Sequence, residues 1–189
     1  IANRVVRAAF REMGFRVVRG KAWNVLWGAA PAPEEFKDLG LLPYHRMNHF
    51  PGTWELGRKD MLYRNIHKAR RDRGTSSERG AAFDFVPRFF VLPDEWELFK
   101  TAVARSPNQL WIRKPLASSR GRGVRMVRYP LALNKKAEML VQEYVSNPML
   151  IEGRKFDLRV YVVLTCLDPL RIYIYKDGLV RLAFYEYTK

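Results

Sequence analysis

Cysteine is nearly absent from this sequence, with Cys166 alone among 189 residues. A single cysteine excludes an intrachain disulfide and predicts a reducing compartment. Histidine is scarce as well, limited to His45, His49 and His67. His45 and His49 are four residues apart, but neither cysteine nor a HExxH glutamate accompanies them. The sequence therefore predicts no zinc site.

Long apolar runs are also missing. No run reaches the roughly 18 residues that a membrane-spanning helix needs, and the first residues show no signal-peptide pattern. We therefore expect no membrane partner. The sequence opens without methionine in a helix-like phrase and closes on Tyr187-Thr188-Lys189. For this reason we expect a piece of a longer protein.

Basic residues, by contrast, are abundant: 34 Lys+Arg against 19 Asp+Glu give a formal net charge of +15. Such a surface favours polyanionic partners, namely nucleic acid, acidic lipid, nucleotide phosphates or acidic protein tails. Charge alone does not choose among them. A hydrophobic fraction of 48% argues against disorder. The length suffices for one ordinary domain or for parts of two.

Periodicity predicts helices early in the chain and strands late in it. Helices are expected over residues 1–12, 58–73 and 93–105. Strands are expected over residues 17–18, 23–27, 85–92, 110–114, 124–129, 140–145, 156–167, 170–175 and 179–184. Asp168-Pro169 and Lys176-Asp177-Gly178 are predicted turns, so the end of the chain resembles an antiparallel meander. The polar segment Thr75–Ala82 is the predicted boundary, with a second change near 145–152.

One segment points to phosphate chemistry. The strand-like run Leu110–Lys114 ends on a lysine, and a Ser/Gly/Arg loop follows it up to Gly123. The lysine supplies a point charge, and the glycines let backbone N–H groups approach anionic oxygens. An ordinary surface hairpin with solvated arginines fits this segment almost as well.

Three later strands carry polar residues in apolar surroundings. Gln142 and Glu143 in the first suit either an edge strand or contacts to a purine amino group. The next alternates strictly, with Phe156, Leu158, Val160 and Val162 expected in the core. The other face of this strand holds Lys155, Asp157, Arg159 and Tyr161. These residues are either exposed to solvent or line a nucleotide-binding cleft. Arg181, within the apolar strand Leu179–Ala183, suits either a salt bridge or a carboxylate clamp.

The order of these signals is more specific than any one of them. In chain order they are Asn48-His49-Phe50-Pro51-Gly52 with Arg58-Lys59-Asp60, Lys114-Pro115-x-x-Ser118-x-Arg120-Gly121-x-Gly123, Gln142-x-Tyr144, Lys155-Phe156-Asp157-Leu158-Arg159 and Asp177-Gly178-x-x-Arg181. This series resembles the tubulin tyrosine ligase-like family of the ATP-grasp superfamily. The patterns Arg58-Lys59-Asp60-x-Leu62-Tyr63-x-Asn65 and Asp168-Pro169-Leu170-x-Ile172-Tyr173 are most similar to those of its polyglutamylase members.

The resemblance implies an α/β (α+β) fold, with ATP held between lobes of largely antiparallel sheets flanked by helices. Residues 1–80 would form the N-terminal α/β portion, 81–150 the central lobe and 151–189 the start of the C-terminal lobe. Lys114 and Lys155 would hold ATP phosphates, and Arg120-Gly121 would belong to the phosphate loop. The residues that would line adenine are Gln142, Glu143, Tyr144 and Val145.

The remaining implied site residues lie in the last two strands. Phe156 and Asp157 would complete the nucleotide site, with Asp157 near the ribose. Arg181 would bind the carboxylate of the incoming amino acid, and Lys155, Arg159 and Arg181 are the expected catalytic residues. Mg²⁺ would accompany ATP, but the family's metal ligands lie beyond the last motif. We therefore assign no metal ligand within the chain and expect the ligands beyond Lys189, so this piece alone would be catalytically incomplete.

The implied reaction is ATP-dependent amide ligation. A glutamate side chain of an acidic protein tail, above all of tubulin, would be phosphorylated to an acyl phosphate and then attacked by free L-glutamate. Part of the segment Arg58–Arg79 would face that tail or the microtubule. The expected location is the cytoplasm and the microtubule cytoskeleton, including cilium or basal body.

Other functions remain open from the sequence. Arg181 would serve a glycylase or a tyrosine ligase as well, because both donors present an α-carboxylate. A non-catalytic microtubule-binding or nucleic-acid-binding module is the alternative from another class. The nucleic-acid version is disfavoured, because no RNP-type pattern and no aromatic residues interleaved with the basic stripe are found.

Overall fold

The computed structural model describes residues 3–20, 22–72 and 83–188. The chain divides into two compact units, the first from residues 1–86 with 115–122 and the second from residues 87–114 with 123–189. The predicted boundary segment Thr75–Ala82 lies outside the described residues. The predicted division into 1–80, 81–150 and 151–189 stays a prediction.

The first unit is mainly helical. Its elements are α1 (Arg4–Glu12), β1 (Val25–Leu26), α2 (Pro33–Asp38), β2 (Arg46–Met47), α3 (Trp54–Gly57) and α4 (Lys59–Asp72). Strand β1 pairs with β2 in parallel. The local sequence starts two of the helices: the Asn3 side chain accepts a hydrogen bond from Val5 N–H at 2.9 Å at the start of α1, and Pro33 opens α2.

The second unit is mainly antiparallel sheet. Its elements are β3 (Phe89–Leu92), α5 (Trp96–Arg105), β4 (Trp111–Lys114), β5 (Arg125–Val127), a 3₁₀ helix (Pro130–Ala132), β6 (Met139–Glu143), β7 (Leu150–Ile151), β8 (Arg154–Leu167) and β9 (Leu170–Leu182). One sheet has four strands in the order β3-β6-β4-β5, and the other has three in the order β7-β8-β9. The mixed α/β class with antiparallel sheets is confirmed.

The described core of the second unit lies between the four-stranded sheet and α5. Phe99 on the helix and Trp111 on β4 are 0% and 1% exposed, and their rings meet edge to face with centroids 5.1 Å apart. Burial of such large rings is a major source of folding free energy. Strand β6 lies inside the sheet between β3 and β4, and its residues Met139–Gln142 are buried, as is every residue of β3 from Phe89 to Leu92. The sheet thus gives β6, which carries several predicted site residues, a rigid support.

The end of the chain differs from the predicted meander. Strands β8 and β9 form one long antiparallel hairpin around Asp168-Pro169, and the predicted turn Lys176-Asp177-Gly178 lies inside β9. Val160 pairs with Gly178 and Val162 with Ile174, so β9 accommodates two extra residues there as a bulge. Asp-Gly is a local signal that a bulge uses as readily as a turn. The prediction of a turn at this position was therefore wrong.

Two further expectations were wrong. Leu158, Val160 and Val162, expected in the core, are 61%, 55% and 58% exposed. A period of two identifies residues that share a face, but it does not reveal whether another layer covers that face. Val17 and Val18 form no strand, because their β-propensity is realised only where a partner strand pairs with them.

Candidate functional site

Lys114 and Gln142 are brought together in the four-stranded sheet. Lys114 ends β4 opposite Leu140, and Gln142 lies two residues further along β6, on the same face as Lys114. The Gln142 side-chain oxygen accepts a hydrogen bond from Lys114 Nζ at 2.5 Å, and its Nε2 donates to the Pro87 carbonyl at 3.3 Å. Gln142 is only 4% exposed. A buried amide held at both ends therefore fixes the position of the Lys114 ammonium.

The predicted adenine-lining segment continues from β6 into a loop. The backbone N–H groups of Glu143 and Tyr144 donate to the carbonyls of Arg88 and Leu110, both at 2.8 Å. The Glu143 carboxylate accepts from Arg88 Nε at 2.8 Å. The two backbone bonds extend the pairing of β6 with the segments before β3 and β4, and Val145, which is 52% exposed, follows the end of β6.

Lys155 of β8 lies between two tyrosines. Its ammonium donates a hydrogen bond to the Tyr144 hydroxyl and lies 4.4 Å from the Tyr144 ring centroid and 4.3 Å from the Tyr187 ring centroid. The hydrogen bond from Lys155 lowers the pKa of Tyr144. The hydrogen bond between the two phenols raises the pKa of Tyr187. Tyr187 was not predicted as a site residue, since a tyrosine beyond the last strand has no pattern that marks it.

Asp157 and Arg181 face each other across β8 and β9. They are direct partners in the strand register, and the Arg181 Nε lies 3.0 and 3.1 Å from the two carboxylate oxygens of Asp157. The Arg181 Nη2 also donates to Asp157, so the guanidinium holds the carboxylate with two nitrogens. This hydrogen bonding, with a smaller contribution from Arg159, lowers the pKa of Asp157. Phe156, the neighbour of Lys155 and Asp157, is half-buried.

The predicted phosphate loop belongs to the first unit. Arg120 and Gly121 have φ angles of +58° and +70°, and Gly123 has +75°. A left-handed conformation costs roughly 1–2 kcal/mol for a residue with a Cβ, so Arg120 is strained. Lys59, at the start of α4, donates to the Ser118 carbonyl at 2.5 Å and anchors the start of this loop. Lys59 was part of the motif series, but this contact was not foreseen.

The motif Asn48-His49-Phe50-Pro51-Gly52 has a structural role in the first unit. The Asn48 amide both accepts from Gly28 N–H and donates to the Gly28 carbonyl, each at 3.0 Å. His49 Nε2 lies 3.0 Å from the same carbonyl. The motif therefore ties the loop after β2 to the loop after β1.

Comparison with known proteins decides the family. The model of the tubulin-tyrosine ligase family matches residues 38–189. The chain belongs to this family. The motif series thus identified the family correctly.

The relatives of this family member are named as tubulin-modifying enzymes. The chain is 37% identical to the human tubulin monoglutamylase TTLL4 over 189 residues, covering all of the chain and 15% of that protein. It is 38% identical to the human tubulin polyglutamylase TTLL5, covering 99% of the chain and 14% of that protein. It is 36% identical to the mouse tubulin polyglutamylase TTLL7, covering 97% of the chain and 20% of that protein. The chain thus spans a fifth or less of these relatives.

A solved structure shares the fold of this family member. It is the C-terminal domain of K. lactis Pby1, an ATP-grasp enzyme that interacts with the mRNA decapping enzyme Dcp2. The TM-score is 0.60 at 19% identity, and the match covers 97% of the chain and 56% of the Pby1 chain. At this identity the likeness shows the fold alone, which is the predicted ATP-grasp fold.

A cavity of about 500 Å³ lies in the first unit of the chain. The face of α1 and the segment that follows line it, including Phe10, Trp23, Trp27 and the arginines Arg7, Arg11 and Arg16. None of the predicted site residues lines this cavity. No sequence pattern predicted it, because it depends on how α1 lies against residues 15–27.

The described ranges yield neither a metal cluster nor a membrane span. Within them, no group of three or more His, Cys, Asp and Glu side chains could hold a metal ion. No described helix is both long and apolar enough to cross a membrane. The metal ligands predicted beyond Lys189 stay a prediction.

Proposed function

We propose that the protein containing this chain is an ATP-dependent ligase that adds glutamate to glutamate side chains of acidic protein tails, most of all those of tubulin. The observation that carries the proposal is 36–38% identity over nearly the whole chain to proteins named tubulin mono- and polyglutamylases. We further propose that it works in the cytoplasm on microtubules, including those of the cilium or basal body.

Two lysines of the second unit suit the phosphates of a nucleoside triphosphate. Lys114 and Lys155 each have a fixed ammonium group, the first held by the buried amide of Gln142 and the second by two tyrosines. Fixed cations suit phosphate oxygens, because little side-chain freedom remains to be lost when the phosphate binds. In this proposal the two lysines hold ATP phosphates, and Gln142 to Val145 line the base. Asp157 lies near the ribose, with Phe156 completing the site.

In the first unit, the loop at Arg120-Gly121 also suits phosphate. Arg120 and Gly121 form the centre of a tight turn in which Arg122 N–H donates to the Ser119 carbonyl at 3.2 Å. Gly121 has no Cβ, so an anionic oxygen can approach the backbone of this turn closely. Lys59 keeps the start of the loop in place through Ser118. We assign Arg120 and Gly121 to the phosphate loop on these grounds.

Arg181 suits the carboxylate of free glutamate. Its guanidinium already holds a carboxylate with two nitrogens, that of Asp157. Because Nε and Nη2 hold Asp157 from one side, the α-carboxylate of an incoming amino acid would bind at the other edge of the guanidinium, between Nη1 and Nη2, with Arg159 adding positive charge beside it.

The reaction follows from these roles. ATP supplies the phosphoryl group that converts the acceptor side-chain carboxylate into an acyl phosphate, and ADP leaves. The amine of free glutamate then attacks the acyl carbon, loses a proton, forms the isopeptide bond and expels phosphate. Lys155, Arg159 and Arg181 stabilise the negative charge that builds up in both steps. Mg²⁺ accompanies ATP in this proposal, with ligands beyond Lys189.

Mass spectrometry of tubulin tails tests the proposal. Full-length protein is incubated with tubulin, ATP and glutamate, glycine or tyrosine in separate reactions. We expect a ladder of added glutamates that Lys114→Ala abolishes. Lys100→Ala is the matched control, because Lys100 pairs with Glu97 on the surface of α5, and it should leave the ladder unchanged.

Two outcomes would contradict the proposal. A product with glycine or tyrosine but none with glutamate would assign the protein to another branch of the family. Tubulin binding that survives Lys114→Ala, combined with no thermal stabilisation by ATP, would favour a non-catalytic microtubule-binding module.

A further inference from the structure

Tyr187 contacts the proposed phosphate-binding lysine in a way that the motif series does not explain. The Lys155 ammonium lies 4.3 Å from the Tyr187 ring centroid and 4.4 Å from that of Tyr144. Both distances are well inside the roughly 6 Å over which an aromatic face attracts a cation. Two aromatic faces and the Tyr144 hydroxyl thus confine one ammonium group.

Tyr187 is itself fixed by backbone and side chain. Its backbone N–H donates to the Gly153 carbonyl at 2.8 Å, and its hydroxyl donates to the Ser146 carbonyl at 2.9 Å. The first bond ties the segment after β9 to the turn between β7 and β8. The second ties the ring to the loop after β6. The ring therefore has a defined position before any ligand arrives.

We propose that Tyr187 is a positioning residue for Lys155, holding its ammonium where a nucleotide phosphate is bound. The inference rests on the proposed function, because it needs Lys155 to contact ATP. A lysine side chain has a flexible four-carbon stem, and its ammonium otherwise samples many positions. Restricting it in advance reduces the entropy lost on binding, so the ring contributes to ATP affinity without touching ATP.

A double-mutant cycle on the full-length protein tests this role. The dissociation constant of a fluorescent ATP analogue carrying a methylanthraniloyl group is measured for wild type, Tyr187→Leu, Lys155→Met and the double variant. We expect Tyr187→Leu to weaken binding by about threefold to tenfold. It should have no further effect when Lys155 is already methionine. Tyr187→Phe keeps the ring and the backbone bond to Gly153 but loses the hydroxyl bond to Ser146, so it should weaken binding less than Tyr187→Leu does.

Two controls separate this role from general stability. Tyr185→Leu removes a ring that is 79% exposed and stands edge to face on Phe184, so nucleotide affinity should not change. If Tyr187→Leu does not fold, trifluorophenylalanine is incorporated at position 187. That side chain has nearly the same shape as phenylalanine but an electron-poor face, and it should weaken binding in the same direction.

Each failure has its own pattern. If Lys155→Met leaves nucleotide affinity unchanged, the proposed ATP site fails, and the role of Tyr187 fails with it. If Lys155→Met weakens binding but Tyr187→Leu and the fluorinated ring do not, only the positioning role is wrong. An equal loss on removing Tyr187 in both backgrounds would assign the ring to structural support instead.

Discussion

Among single residues, Asp60 combines burial, an ion pair and a helix start. It is 7% exposed in the first turn of α4, where the helix dipole favours negative charge. Arg58 donates to it through Nε at 3.1 Å and Nη2 at 2.9 Å. These hydrogen bonds lower the pKa of Asp60 below its ordinary value of 3.8. The Arg58-Lys59-Asp60 motif therefore has a structural role besides marking the family.

Replacing Asp60 should destabilise the first unit in a pH-dependent way. Asp60→Asn keeps the shape but removes the charge, and we expect a loss of about 1–2 kcal/mol of unfolding free energy at neutral pH. Because the folded-state pKa is lowered, this stabilisation is present above the unfolded value of 3.8 and is lost as pH falls through the folded value. Urea titrations at several pH values measure it.

The controls for Asp60 are simple. Asp72→Asn, on an exposed aspartate at the other end of α4, should change stability little. A difference between Asp60→Asn and wild type that persists undiminished under acid conditions, below the lowered pKa, would contradict the role of the charge.

At the scale of secondary-structure elements, the sequence predicted the strands of the β8–β9 hairpin but not the way they pair. The apolar spacing predicted strands over 156–167 and 170–175, and the observed β8 ends at Leu167 and β9 begins at Leu170. Gly178 was predicted to lie in a turn between two strands, because Asp-Gly favours turns. A Cβ at Gly178 would lie 2.6 Å from the Arg159 carbonyl oxygen, so the glycine permits close backbone approach beside a bulge. No local pattern distinguishes these two uses.

Gly178→Ala should therefore destabilise this hairpin. The clash involves backbone, which cannot move aside as a flexible side chain can, and we expect a cost of about 1–3 kcal/mol. Hydrogen–deuterium exchange measured by mass spectrometry tests this. Peptides from β8 and β9 should exchange faster in the variant than in wild type.

Gly57→Ala is the matched control for the hairpin. A Cβ there meets nothing within 4 Å, and Gly57 ends a helix, so the change should be neutral or slightly stabilising. Unchanged exchange in β8 and β9 after Gly178→Ala would show that the backbone can shift at no cost.

At the scale of the whole molecule, the sequence predicted the family correctly, but it could not predict which residues the candidate site residues contact. The contact of Asp157 with Arg181 follows from strand register, and that of Gln142 with Lys114 from the pairing of β4 with β6. Register depends on pairing between segments far apart in the chain, and no motif encodes it. Tyr187 was missed for the same reason, since its meaning comes from Lys155 in another strand.

The net charge of +15 should act through particular surfaces rather than as a total. The basic segment 58–79 was predicted to face an acidic tail or the microtubule. Arg70 of that segment pairs with Asp84 at 2.8 Å, and Arg73 lies outside the described residues. Lys68 and Arg71 are exposed; the Arg71 side chain is 80% accessible, and its ion pair with Asp72 at 3.8 Å is long and solvent-exposed, so it contributes little. They are therefore the better residues to reverse.

Reversing both charges, as Lys68→Glu with Arg71→Glu, should weaken microtubule binding by about threefold to tenfold at low salt. The difference in microtubule affinity between the variant and wild type should become smaller as salt rises, because the electrostatic screening length falls to about 8 Å near physiological ionic strength. Co-sedimentation of the full-length protein with microtubules at several salt concentrations measures both effects. Lys135→Glu with Lys136→Glu changes net charge equally on exposed residues before β6 and should weaken binding less. Equal losses from the two pairs would mean that total charge, not this face of α4, attracts the microtubule.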